Sequence, residues 1–358
     1  MEIEVETSLS NELIASGSTN YSNNIGSSIE SNHLKMNSNT FPVLIDDNKN
    51  SINNQNQMVS MKPINENQNS FQNKFLCEKK DDNEKKIFDF KFESDKELVS
   101  FAGEYLSEMY YNFLLDEKYL KFKPMIGYMN NQKDINIQMR AILLDWLVEV
   151  HFRFRLKNET LFQTIWIIDS YLSLCPIKRA KLQLLGIASL LIACKSQEIY
   201  YPQLKEFIDI TDGAYVKNEL IEMENHVLKV LNFNIIAPTS NDFYNIIAKA
   251  FNFDQKQYYL GKYFLETALI GYQMIDYPSS VIAASCAYMV MKLFEMNNYK
   301  LLYSSDIVNK ENPQKIIKDA AREIYCLEKY LSKSTLKAVK SKYSLNQFLN
   351  VAQYCEQI

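Results

Sequence analysis

The chain has no glycine-rich phosphate loop and no Gly-x-Ser-x-Gly element. Its three histidines, His33, His151 and His226, stand beside no nucleophile and in no ligand spacing. Acyl transfer, nucleotide hydrolysis and metal-assisted hydrolysis therefore lack their machinery, and the chain reads as a non-enzyme that needs no cofactor and no metal. Six cysteines, Cys77, Cys175, Cys194, Cys286, Cys326 and Cys355, are scattered without any Cys-x-x-Cys or Cys/His pattern, which excludes a zinc knuckle and leaves reduced thiols as the reading. The longest apolar stretches, Leu184 to Cys194 and Val281 to Met291, fall short of the roughly 18 residues that cross a bilayer. The opening MEIEVETSLS has no basic segment leading into an apolar run, so neither secretion nor membrane insertion is expected. A net charge of -4 argues against a broad nucleic-acid footprint, which needs clustered Lys and Arg.

What is present is apolar. Of the 358 residues, 47% are hydrophobic and 13% aromatic, enough for two ordinary domains with chain left over. Residues 1–95 are Asn-, Ser- and Gln-rich, lack any sustained period, and read as a disordered tail. From Lys96 onward the spacing is helical throughout, so the fold class is all-α. The spacing predicts helices over Glu97 to Lys118, Ile137 to Arg155, Glu159 to Leu174, Lys178 to Gln197, Pro202 to Ile208, Val216 to Leu231, Ser240 to Phe251, Gln255 to Met274, Ser279 to Glu295, and Pro313 to Leu331. Proline splits them at Ala237-Pro238 into two runs. A faint repeat relates those runs: LQLLGIASLLIACKSQE laid on SSVIAASCAYMVMKLFE pairs Gly186 with Ala283, Lys195 with Lys292 and Glu198 with Glu295. The organisation expected is a tail (1–95), an N-terminal helix and linker (96–130), a first helical domain (131–237), a second (238–345) and a short C-terminal tail (346–358).

Two features stand out on the residues alone. Arg140 lies in MRAILLDWLVEVHFRF, a helix apolar around most of its circumference. A buried guanidinium needs a counter-charge, and Asp169 in IWIIDSYL is the natural candidate, with snorkelling to solvent as the alternative. Met139, Ile142, Leu143 and Trp146 form an i, i+3, i+4, i+7 stripe on the same helix. On spacing alone such a stripe belongs to the core. Leu144, Leu147, Val148 and Phe152, however, offer a second apolar face, and a helix with both is central or meets a partner.

MRAILLDWLVEV, LKNETLFQTIWIIDSYLS, KLQLLGIASLLIACKSQEIY, FIDITDGAY, MENHVLKVLNFNIIAPT and YPSSVIAAS, in that order, resemble the cyclin-box pair of mitotic A/B-type cyclins over about Glu104 to Leu331. GYMNNQKDI leans to the A-type and VHFRF to the B-type. The resemblance implies two tandem five-helix cyclin-box domains behind an N-terminal helix. It also implies a regulatory subunit that binds and activates a cyclin-dependent kinase in control of the cell cycle, at G2/M, in nucleus and cytoplasm. On that likeness Lys195, Glu224, Leu228, Phe233, Ile235 and Met109 would contact the kinase, although spacing alone makes Lys195 and Glu224 ordinary solvated charges. Ser196 stands where the family usually has an aromatic, which removes apolar contact area. Met139, Ile142, Leu143 and Trp146, rimmed by Glu149, Arg179 and Gln183, would form a docking patch for substrates and inhibitors carrying Arg-x-Leu motifs. Residues 1–100 contain no Arg, so the family's Arg-x-x-Leu degradation box is absent there, while Lys310, Glu311 and Asn312 spell a KEN-type degron that ubiquitin-ligase machinery would read. The competing readings are a transcription-associated protein built on the same paired domains and a helical scaffold that uses no kinase.

Overall fold

The computed structural model describes residues 105–304, 307–308 and 310–354. The tail expected over 1–95, the start of the first expected helix, and His33, Cys77 and Cys355 lie outside the described residues. Among the described residues there is no strand. A lead helix α1 (Leu106–Tyr119) is followed by α2 (Ile137–Arg153), α3 (Asn158–Leu174), α4 (Leu182–Gln197), α5 (Leu204–Asp209) and α6 (Lys217–Val230). A second set comprises α7 (Ser240–Ala250), α8 (Gln255–Ile270), α9 (Ser279–Leu293), α10 (Pro313–Lys333) and α11 (Ala338–Tyr343), with a last turn α12 (Val351–Tyr354).

Starts of helices are set by local chemistry. Asn136 accepts from the N–H of Met139 at 2.9 Å, and Asp254 accepts from the N–H of Gln257 at 2.8 Å. Thr239 donates to Asp242 at the joint between the sets, closing a capping box on α7. Each set wraps a central helix that is buried all round: α4 from Leu182 to Cys194, and α9 over nearly its whole length. Close packing around α4 depends on Gly186, where a Cβ would meet Leu143 Cδ1 at 2.8 Å. At Gly261 of α8 the hydroxyl of Tyr244 occupies the space a side chain would need.

The two sets are tied at several buried points. Arg140 Nε and one terminal nitrogen bind the two oxygens of Asp169 at 2.7 Å each. The guanidinium also donates to the carbonyls of Ile270 (3.1 Å) and Leu269 (3.3 Å), the last residues of α8. Tyr128 from the linker donates to Asp169 at 2.7 Å, and the Met129 N–H donates to Tyr272 Oη at 2.9 Å. The lead helix packs onto the second set: Tyr110 and Phe113 meet Phe243 edge-on, and Glu117 accepts from the N–H and hydroxyl of Ser280. That carboxylate caps α9, which has no side-chain cap of its own. Asp145 of α2 does the same for α11, accepting from the Ala338 N–H at 3.0 Å. Behind it, Lys342 and Tyr343 both bind the buried Glu266 of α8.

Two expected elements are corrected and one is added. The helix expected over Lys178 to Gln197 opens as a 3-10 turn, Arg179–Lys181, before α4 begins. The one expected over Gln255 to Met274 ends at Ile270, because Arg140 takes its final carbonyls, Gly271 turns extended (φ -73°, ψ 115°), and a 3-10 turn follows over Tyr272–Asp276. Beyond α10, helix α11 was not expected at all.

Removing one partner of a buried ion pair leaves an uncompensated charge. Asp169→Ala is therefore expected to cost about 3–5 kcal/mol, read from the urea unfolding midpoint. The exposed Lys181–Glu219 pair at 2.6 Å makes a control, where Glu219→Ala should cost about 1 kcal/mol or less.

Candidate functional site

One cluster forms where α4 and α6 pack side by side. Lys195, in the last turn of α4, reaches across to Glu224 on α6 at 2.5 Å. The Glu224 side chain is nearly covered, at 11% exposed, while the Lys195 side chain remains partly open at 41%. Residue pattern alone treats both as solvated. The structure instead gives a lysine held by a nearly covered acid, its own side chain partly open to solvent. Such a group suits the free carbonyls at the end of another protein's helix.

Apolar side chains follow each member of the pair along the chain. Leu228 is one turn beyond Glu224 and half-buried. The C-terminus of α6 closes through Phe233 N–H to Leu228 O (2.9 Å) and Asn232 N–H to Lys229 O (3.1 Å), with Asn232 and Phe233 both left-handed at φ 47° and 59°. Left-handed backbone is uncommon for a non-glycine residue and costs on the order of 1 kcal/mol. Here it turns the Phe233 ring outward, 68% exposed. Gln163 donates to Ile235 O at 2.9 Å and accepts from Gln197 at 2.5 Å, so residues 235–236 are held beside the end of α4. Glu198 fixes the next loop by accepting from the Lys157 N–H and the Thr160 hydroxyl. That loop presents Ile199 and Tyr200 at 79% and 92% exposed, and Ile236 is exposed as well. Sequence reasoning missed Ile199, Tyr200 and Ile236. Their signal was three large apolar residues in segments with no helical period. Ser196 is exposed among them. Met109 stands on α1, a helix anchored to the second set.

A second surface runs along α2. Met139, Ile142 and Trp146 are half-buried on its outer side, with Glu149 exposed one turn on. Arg179 is exposed just before α4, whereas Gln183 in its first turn is buried. Leu143 departs from the expected patch: it is fully buried with its methyls against Gly186, because α4 approaches α2 at that point. It is floor, not surface. Burial of Asp145 pushes its carboxyl up to about 6, and Glu149 beside it adds to the shift.

The remaining expected residues are placed as follows. Lys310, Glu311 and Asn312 are exposed, but Asn312 caps α10, accepting from the Lys315 N–H with Pro313 in the first position. His151 is buried with Nε2 facing Lys157 O at 2.8 Å, and burial holds its imidazole down at about 4. The Cys194 thiol is pushed up to about 12 by burial. Among the described residues no group of His, Cys, Asp and Glu is placed to hold a metal, and no helix is long and apolar enough to cross a membrane.

Two family models match the chain: "Cyclin, N-terminal domain" over residues 108–236 and "Cyclin, C-terminal domain" over residues 238–357. Among curated relatives, it is 37% identical over 262 residues to the G2/mitotic-specific cyclin-B of Spisula solidissima, covering 73% of this chain and 59% of that protein. It is 36% identical over 253 residues to the G2/mitotic-specific cyclin-B of Hydra vulgaris, covering 70% and 68%. With the G2/mitotic-specific cyclin-B2 of Bos taurus it shares 33% over 302 residues, covering 83% and 71%. The match thus spans less than two thirds of the Spisula protein's length. The fold is similar to that of a viral cyclin from herpesvirus saimiri, with a TM-score of 0.52 at 19% identity, covering 62% of this chain and 97% of that one.

Because the Lys195 side chain is about two-fifths exposed, its ion pair adds little to folding. Lys195→Ala is expected to shift unfolding free energy by about 1 kcal/mol or less, checked by thermal or urea melting, so that any larger loss seen in binding belongs to the surface.

Proposed function

The chain belongs to the cyclin family, and we propose that it is the regulatory subunit of a cyclin-dependent protein kinase, which it binds and activates in G2/M control, in nucleus and cytoplasm. The observation that carries this is the Lys195–Glu224 pair at 2.5 Å within a rim of exposed apolar side chains. No catalytic residue of its own is required. The fixed ammonium would donate to carbonyls at the end of a kinase helix, and Glu224 would hold the ammonium in register while accepting from the partner. Burial of Phe233, Leu228 and Ile235, together with Ile199, Tyr200 and Ile236, would supply affinity. Holding that helix inward selects the kinase conformation in which its glutamate reaches the lysine that positions ATP, a shift of a two-state equilibrium. With the usual aromatic replaced by Ser196, Ile199 and Tyr200 take over apolar area on this side.

The α2 surface fits a second role, the capture of substrates and inhibitors with Arg-x-Leu motifs. Met139, Ile142 and Trp146 would receive the leucine, and Glu149 the basic residue. Gln183 is too buried to be more than a wall, and Arg179 stands at the edge. The KEN sequence at Lys310 to Asn312 is kept as a candidate contact for ubiquitin-ligase machinery, with Asn312 able to serve it only by giving up its helix cap. A transcription-associated role and a kinase-free scaffold are less well supported, since the curated relatives quoted above are mitotic cyclins.

Co-purified with a cyclin-dependent kinase and assayed on histone, the Lys195→Ala, Glu224→Ala double variant should need about tenfold or more protein for half-maximal activation, the scale of losing one hot spot. Activation equal to wild type would show that this surface is not the kinase contact. Met139→Ala with Trp146→Ala should leave turnover of a short peptide unchanged and lower kcat/KM on substrates with an Arg-x-Leu motif by roughly tenfold. Leu143 is left intact in that test because its loss would open a cavity in the core.

A further inference from the structure

Between the two helical sets, beneath the C-terminal end of α1, lies a cleft of about 600 Å³. That is the size and position at which proteins bind ligands, and neither surface described above uses it. Its walls include Leu114 of α1, Phe162, Ile165 and Trp166 of α3, Leu269 of α8 and Ile282 of α9. Trp166 is unusual within its helix: every other residue from Thr160 to Ser173 is buried, and this indole alone is left partly open, toward the cleft. Lys118, Lys123 and Lys310 also line the opening and are exposed. The site therefore offers an apolar floor that includes Trp166 and a mixed edge, on which Lys118, Lys123 and Lys310 stand with Glu117 and Asp276.

We propose that the cleft seats a segment of this same chain, residues 87–93, Ile-Phe-Asp-Phe-Lys-Phe-Glu. These residues lie outside the described part, and their pattern matches the site on three counts. If the segment were extended, alternation would put Phe88, Phe90 and Phe92 on one side, a set of rings for the apolar floor, with Asp89, Lys91 and Glu93 on the other. The stretch from Asp81 to Glu97 carries seven acidic residues against four lysines, opposite in sign to Lys118, Lys123 and Lys310. The reach is sufficient. The 14 residues of α1 rise about 21 Å from Tyr105 to the cleft, and the 13 positions between Phe92 and Tyr105 extend to about 43 Å at most. A tethered segment also acts at an effective concentration in the millimolar range, so modest contacts suffice to fill the site. Seated there, it would bridge α1, the first helical set and the second, adding a strap across the joint.

The test uses the full chain. In a Trp146→Phe background Trp166 is the sole indole, since the sequence has two tryptophans, and acrylamide quenching reads its cover. Phe88→Ala with Phe90→Ala and Phe92→Ala should raise the quenching constant roughly twofold or more as the ring loses its cover, and a synthetic peptide of residues 86–94 should lower it again. A thermal melt of the variant matching that of its parent checks that the helical body is intact. Lys118→Glu with Lys123→Glu should raise quenching likewise, and adding Asp89→Lys with Glu93→Lys should bring it back. Identical quenching for the parent and the triple alanine variant would overturn the proposal and leave the cleft to an external partner. Failure of the charge swap to restore cover would overturn the ionic register.

Discussion

A guanidinium that is 2% exposed organises this molecule. Withdrawing Arg140 from water is costly, and the cost is offset only when its donors all find acceptors in good geometry. Asp169 supplies two from the first helical set, Leu269 and Ile270 supply two from the second, and Tyr128 brings the linker onto the same carboxylate. Three parts of the chain thus meet on one ion pair. A shift of either set would strand charge in an apolar interior, so the pair specifies how the sets stand to each other whatever it adds to net stability.

The same logic recurs in milder form around it. Two helices of the second set, α9 and α11, lack side-chain caps and receive them from Glu117 and Asp145, which belong to α1 and α2. Glu266 depends on Lys342 and Tyr343. With the joint fixed by several such dependencies, both candidate protein-binding surfaces are carried by the first set as parts of a rigid body. The Lys195–Glu224 surface uses the pairing of α4 with α6, and the docking face uses the outer side of α2. Rigidity matters for a protein that would act by holding another protein's helix, because ordering lost on binding would be subtracted from affinity.

Much of this was legible in the residues, and what was not has a common cause. Helical spacing located every long helix, and the need for a counter-charge pointed from Arg140 to Asp169, which the structure places at 2.7 Å. Features that depend on distant partners could not be read. The end of α8 is set by an arginine 130 residues earlier, and the start of α11 by an aspartate 193 residues earlier. Leu143 shares its spacing with Met139, Ile142 and Trp146, yet spacing does not say on which side a neighbour comes close. Gly186 announced a close approach without naming its partner. At the Lys195–Glu224 cluster, resemblance singled out the charged pair, whereas Ile199, Tyr200 and Ile236 lie in loops where periodicity carries no information about exposure.

The 130-residue separation between Arg140 and Ile270 also bears on how the molecule is made. On the ribosome the first helical set, whose last helix ends at Val230, is synthesised about 40 residues ahead of the Ile270 carbonyl that its arginine also binds. At the roughly 5–20 residues per second of translation, the half-built bundle waits on the order of a few seconds with its guanidinium held by Asp169 alone and the apolar flank of the joint uncovered. Nascent chains at this stage are natural clients for chaperones, and the body matures as one cooperative unit once the second set arrives.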